Sequence, residues 1–251
     1  MSSKLKVIAV VVVLLVAAGA GGVWWYLRDD APEEVSLDSA LESANGDEEA
    51  GDGGTTTTGE DDAAGEGIEG SWVVDTESGG FDFDTATGSF VGFRIQEELS
   101  SIGSTTAVGR TGDITGGIVI DGTTVTEAGF EVDVTTIATN ESRRDDKVQQ
   151  ALETGTFPTA TFELTEPIEL PAGAADGAPV SVTAVGDLTI HGVTKPVEMA
   201  MDAQVSGDRI VLVGSVDVTF SDFGVQVPSA PVVLSVDDHG TLELQLLLVR
   251  A

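Results

Sequence analysis

The 251-residue chain contains no cysteine. No disulfide can brace it, and thiolate metal sites and cysteine nucleophiles are excluded, so stability has to come from a packed core. Bases are scarce: 11 Lys and Arg stand against 43 Asp and Glu, a formal net charge of −32. A surface this acidic repels a polyphosphate backbone, which excludes nucleic acid as a partner. Only two histidines are present, His191 and His239, and they fall in separate turns. Nothing has metal-ligand spacing, and no G-x-S-x-G, H-E-x-x-H or phosphate loop occurs, so no metal, cofactor or enzymatic activity is expected.

What is present divides into three blocks. Residues 1–28 carry Lys4, Lys6 and Arg28 and no acid; residues 29–70 carry 15 acids and no base; residues 71–251 hold the remaining acids and bases. In the first block, Val7 to Leu27 is an uncharged apolar run, long enough as a helix to span roughly 30 Å of hydrocarbon. Lysines precede it, acids follow it, and Trp24, Trp25 and Tyr26 sit at its far end. That order predicts a single-pass membrane anchor with everything after residue 28 on the extracytoplasmic side. Ala18-Gly19-Ala20 offers the alternative of a cleaved signal peptide, which would make the protein secreted. The anchor is preferred because the apolar run continues past that site.

The second block, 29–70, has one proline, no aromatic and few apolar residues. It reads as a disordered acidic linker with no specific partner, with an end-to-end distance of roughly 35–40 Å before self-repulsion extends it. The Thr55–Thr58 run is a candidate for O-glycans.

The third block, 71–251, alternates apolar and polar residues with period two. Phe130, Val132 and Val134 share one face, as do Phe162 and Leu164, then Met199 and Met201, and then Leu242, Leu244, Leu246 and Leu248. Period two with one wet face predicts antiparallel sheet. Strands are expected near 71–75, 88–97, 107–120, 124–135, 159–166, 180–191, 195–205, 209–220, 231–237 and 241–250, in an all-β sandwich or barrel. Asp121-Gly122, Ser206-Gly207-Asp208 and Asp237-Asp238-His239-Gly240 read as hairpin turns. A short helix is expected near 141–153, capped by Asn140 or Ser142. Asn140-Glu141-Ser142 also fits an N-glycosylation sequon, and the capping role is preferred.

Three motifs in the third block carry a resemblance. They are Arg144-Asp145 followed by Phe157-Pro158 and Phe162; Gly186-Asp-Leu-Thr-Ile-His-Gly-Val-Thr-Lys-Pro196; and Ser221-Asp-Phe-Gly224. In this order the sequence resembles the YceI-like family of polyisoprenoid-binding proteins over about residues 71–251. The resemblance implies an extended lipocalin-like barrel of about eight antiparallel strands. It also implies an apolar tunnel that holds a long amphiphile, an isoprenoid chain or isoprenoid quinone, with no catalytic residues. Candidate tunnel residues are Phe93, Phe130, Val132, Val134, Phe162, Leu164, Leu188, Ile190, Met199, Met201, Phe220 and Phe223.

Two stretches depart from the family pattern. Glu97 and Glu98 stand where relatives often carry a histidine, and Phe220 stands where an arginine usually opens the third motif. Losing two cationic groups favours a neutral lipid or quinone over a phosphorylated isoprenoid. Arg144 and Asp145 are expected to pin the short helix to the barrel. The expected function is a membrane-tethered, extracytoplasmic lipid-binding module. The alternative is a cell-surface barrel with a filled core and no small-molecule ligand.

Overall fold

The computed structural model describes residues 31–49, 67–79, 83, 87–100, 103–227 and 233–251. The Val7–Leu27 run, its cleavage alternative and the Thr55–Thr58 run lie outside the described residues. Among the described residues, no helix is long and apolar enough to cross a membrane.

Twelve strands form one sheet: β1 (Gly70–Val74), β2 (Phe90–Leu99), β3 (Gly103–Thr111), β4 (Ile114–Asp121), β5 (Thr124–Asp133), β6 (Ala138–Thr139), β7 (Thr159–Leu164), β8 (Ile168–Glu169), β9 (Val180–Ile190), β10 (Val193–Ser206), β11 (Arg209–Thr219) and β12 (Val233–Arg250). Eight of them close an antiparallel barrel in the order β1-β4-β5-β7-β9-β10-β11-β12 and back to β1. The closing edge is shared. Strand β12 pairs with β1 through Leu248–Arg250 and with β2 through Val233–Gln245, and β3 and then β6 extend the sheet beyond β2. Closure removes free edges from the eight barrel strands, and the extension beyond β2 ends on β6, a strand of only two residues.

The tight turns follow local chemistry. Gly122 and Gly207 sit at positive φ in the β4–β5 and β10–β11 hairpins, as the Asp-Gly and Ser-Gly-Asp signals require. The β9–β10 hairpin has two turn residues, His191 and Gly192, with φ of 52° and 71°. Both central residues are left-handed, which is the geometry that matches the twist of the flanking strands.

Three expectations about elements need correction. The strand expected over 107–120 is broken at Gly112-Asp113 into β3 and β4, because Thr111 Oγ1 accepts the Asp113 amide at 3.0 Å and turns the chain. The strands expected at 231–237 and 241–250 are one strand, β12, and Asp237–Gly240 is a bulge within it. Asp238 accepts the Ser221 amide at 2.9 Å, so the acidic stretch is held within the sheet instead of turning out of it. The short helix, α2 (Ser142–Ala151), exists, but its cap residue is Glu141 and no side chain caps it. Asn140 is turned toward β3 instead: Val108 N donates to its Oδ1 at 3.2 Å, and its Nδ2 donates to Thr106 O at 3.1 Å.

A fourth correction concerns the linker. Residues 31–49 pack on the barrel. After a strap at 31–36, helix α1 (Leu37–Glu49) lays Ala40 and Ala44 against Val211, Val213 and Leu247 on the outer face of β11 and β12. Leu37, Ala40, Leu41 and Ala44 have the i, i+3, i+4, i+7 spacing of an apolar helix face, and Ser36 Oγ accepts the Ser39 amide at its start. The net acidity of the segment hid this stripe.

Candidate functional site

Large side chains face the barrel axis, yet they do not fill it. Several lie flat on glycines of neighbouring strands. A β-carbon at Gly109 would sit 2.4 Å from the Phe93 ring, at Gly186 2.5 Å from the Phe162 ring, and at Gly214 2.3 Å from Met201 Sδ. Each glycine provides a recess in the wall, and the bulky neighbour occupies the recess instead of the lumen. The sequence showed this mixture of large and small inward residues but not which large residue covers which small one.

Two apolar chambers result. The first has a cavity volume of about 90 Å³ and is aliphatic, walled by residues such as Ile118, Val125, Leu164, Val182, Met201 and Leu212. It ends under a one-turn 3-10 helix at Ala174–Asp176. The second has a cavity volume of about 120 Å³ and is richer in aromatic rings, with Phe93 and Phe220 beside Val132, Leu188, Met199 and Leu244. It ends under α2, which contributes the flanking Leu152. Two side chains, Phe130 and Phe162, line both chambers. They are register partners across β5 and β7.

Of the tunnel residues expected from sequence, Leu164 and Met201 line the first chamber. Phe93, Val132, Val134, Leu188, Ile190, Met199 and Phe220 line the second, and Phe130 and Phe162 line both. Phe223 lines neither. It is 3 % exposed and packs in a separate cluster with Leu188, Ile190, Val218 and Phe220, behind the chamber wall. It sits on a 3-10 turn (Phe220–Phe223), where period two no longer applies. Sequence reading missed the walls from β4 and the loop before β9, including Ile118, Ile120, Leu170 and Ala178. Ile114, Ile118 and Ile120 keep period two along β4 with Gly116 between them, so the signal was there but interrupted by a glycine.

Polar groups at the chambers are few. Gln204 reaches the first; Thr111, Thr161 and Glu243 border the second, and among the described residues no Lys, Arg or His lines either. The Glu243 carboxylate is committed outward: Arg94 Nε donates to it at 2.7 Å and Arg110 Nη2 at 2.7 Å.

Near the α2 end, Arg144 donates to Glu97 Oε1 and, at 2.6 Å, to Asn140 Oδ1. Asp145 takes a different partner, accepting both the Thr139 amide and hydroxyl at 2.9 and 2.7 Å. The helix is thus pinned as expected, but by two separate contacts and not by an Arg144–Asp145 pair. Glu97, 7 % exposed, is the acid that answers Arg144.

His191 packs edge-on against Phe157 with ring centroids 4.6 Å apart. Its Nδ1 lies 3.3 Å from the Phe223 carbonyl, and its Nε2 lies 3.7 Å from Glu153. Those contacts give it a structural place at the hairpin. Among the described residues, no three potential metal-ligating side chains gather in one place.

The comparisons with known proteins agree with this geometry. The model of the YceI-like domain matches residues 81–248. The chain belongs to the YceI-like family. A UPF0312 protein of Shewanella denitrificans is 30 % identical over 147 residues, covering 55 % of this chain and 73 % of that protein. A UPF0312 protein of Pseudomonas fluorescens is 29 % identical over 191 residues, covering 72 % and 89 %. Among solved structures, a polyisoprenoid binding domain from Saccharophagus degradans superposes with a TM-score of 0.56 at 19 % identity, covering 72 % of this chain and 98 % of that one. Burkholderia cenocepacia BcnA superposes with a TM-score of 0.50 at 19 % identity, covering 69 % and 98 %. Those two likenesses bear on the fold of this YceI-like barrel.

Proposed function

We propose that the protein is a membrane-tethered, extracytoplasmic lipid-binding module that sequesters or carries an isoprenoid-type amphiphile, a polyprenyl chain or an isoprenoid quinone, inside the barrel. The observation that carries this reading is the apolar interior that side chains leave open on both sides of Phe130 and Phe162. A structural barrel with a filled core would have packed that space. The name of the Saccharophagus domain, polyisoprenoid binding, points to the same ligand class.

The mechanism is burial. On the order of 400 Å² of apolar chain at about 25 cal/mol/Å² contributes roughly 10 kcal/mol before association costs. No nucleophile–base pair faces either chamber, and the module is read as a binder without enzymatic activity. The head group is read as neutral, because Arg144 near the second chamber is already answered by Glu97 and Asn140. In this reading the strap docked at residues 31–36 keeps the barrel close to the bilayer. Ala31 follows Leu27 by four residues, a reach of about 14 Å at most, so the first described residue cannot lie far from the end of the apolar run.

Organic extraction of the full chain purified from membranes, followed by mass spectrometry, tests the reading. An isoprenoid lipid in near-stoichiometric amount is expected. A folded barrel that yields no lipid overturns the binding role. A polyprenyl phosphate as the dominant species overturns the neutral head group. A chain recovered in soluble form without residues 1–28 overturns the tether and leaves the binding role standing.

A further inference from the structure

Two apolar chambers meet inside the barrel, and the same two rings stand at their junction. Phe130 and Phe162 are direct partners across β5 and β7, so their side chains stand side by side and form one ridge across the lumen. No other described residue lines both chambers. The ridge is backed firmly on one side. Phe162 lies over Gly186, where a β-carbon would come within 2.5 Å of its Cζ and 2.6 Å of Glu163 O, so the ring already occupies the recess available to it. It cannot retreat further into the wall.

We propose that the Phe130–Phe162 ridge is a length gate that selects between apolar chains short enough for one chamber and chains long enough to span both. This inference rests on the lipid-binding reading and adds to it a selectivity by chain length. A short chain fills one chamber without moving either ring. A long chain must push past both rings, with Phe162 unable to withdraw into the wall, a cost that only the long chain meets. The two chambers also differ in character. The first is aliphatic, and the second carries Phe93 and Phe220, whose ring faces suit flat or unsaturated groups. Crossing the ridge is therefore what lets one ligand use both surfaces.

Native mass spectrometry of the full chain in detergent, incubated with farnesol as the short probe and solanesol as the long one, reads this directly. The wild type is expected to take up to two farnesol molecules, one per chamber, and a single solanesol. Phe130→Ala and Phe162→Ala should raise the ratio of solanesol to farnesol affinity by about tenfold. Phe130→Leu, which keeps most of the core volume, should move the ratio in the same direction by less. Thermal melts accompany each variant, and Phe130→Leu answers the question if the alanine variants do not fold. An unchanged ratio in variants that still bind farnesol overturns the gate and spares lipid binding. A folded wild type that binds neither prenol overturns both.

Discussion

On the outside of the barrel, Glu243 holds two arginines at once. Arg94 and Arg110 each reach it at 2.7 Å, and the side chains of all three are nearly buried. Gly92 lies between Glu243 and Arg110 in register, and a β-carbon there would come within 2.8 Å of Arg110 Cγ, so glycine is what lets the guanidinium cross. The arginines also carry the strap: Arg94 donates to Pro32 O at 2.6 Å, and Arg110 to Glu33 O at 3.0 Å. Removing the shared acid takes a counter-charge from two nearly buried cations. Glu243→Leu is therefore expected to lower unfolding free energy by about 3–5 kcal/mol in urea titration. A loss below about 1 kcal/mol would mean the cluster is not a desolvated ion group. Asp75 gives a prediction in pH. Burial alone pushes its carboxyl up, but bonds from Ser78 and Glu77 and the charge of Arg209 outweigh that and hold it below the usual range. A lowered folded-state value means the stabilisation is complete above the unfolded value of about 3.9 and is lost as pH falls through the folded one. The melting-temperature advantage of wild type over Asp75→Asn should thus be present at neutral pH and vanish in the acid range below that. An advantage that persists unchanged there would assign it to packing.

Helix α1 was legible in principle and hidden in practice. Two signals pointed to it. The apolar spacing Leu37, Ala40, Leu41, Ala44 lies inside a segment whose acids dominate its composition. On the receiving side, Ile210–Val213 and Leu246–Val249 are unbroken apolar runs where a half-wet strand would alternate, the mark of a strand buried on both faces. Neither run has a partner that period two alone can name, because the covering element is more than 150 residues away in sequence. Ala40 is fully buried, so Ala40→Asp inserts a charge and extra volume at the contact and should cost about 1–3 kcal/mol of docking. Hydrogen exchange should then accelerate across Leu37–Ala44 while the barrel strands stay protected. Protection unchanged in α1 would show that the helix does not depend on this face. The second helix rests on Arg144. Arg144→Ala strands Glu97 at 7 % exposure and should lower the melting temperature by several degrees. An unchanged melting temperature would remove the lock.

At the scale of the molecule, the net charge of −32 is a surface property. Glu127, Glu131, Glu163, Glu198, Asp202 and Asp217 are all exposed on the outer faces of strands whose inner faces line the chambers. Close acids on one surface repel, and salt screens that repulsion within a Debye length of about 3 Å at molar strength. The full chain is therefore expected to melt at a clearly higher temperature in molar sodium chloride than in dilute buffer. Equal melting temperatures would mean the acids are already too far apart to interact. The strap changes how this charge is arranged. Part of a run of acids that composition assigned to a free tether is folded against the wall, where Leu37, Ala40, Leu41 and Ala44 pack on β11 and β12.

The period-two alternation of β5, β7, β9 and β10 was enough to predict antiparallel strands, their inward faces and the hairpins at Gly122 and Gly207, because those features depend on neighbours within a few residues. Three motifs in order were enough to indicate the family. The bulge at Asp237–Gly240, the pairing of Arg144 with Glu97 and the seat of α1 on Val211 and Leu247 were decided only in three dimensions. Each depends on a partner brought close by barrel closure: Ser221 for Asp238, β2 for α2, β11 and β12 for α1. The division of the interior belongs with them. Local sequence marks Phe130 and Phe162 as inward, but only the register of β5 on β7 sets them side by side, and only Gly186 on β9 fixes how far Phe162 can withdraw.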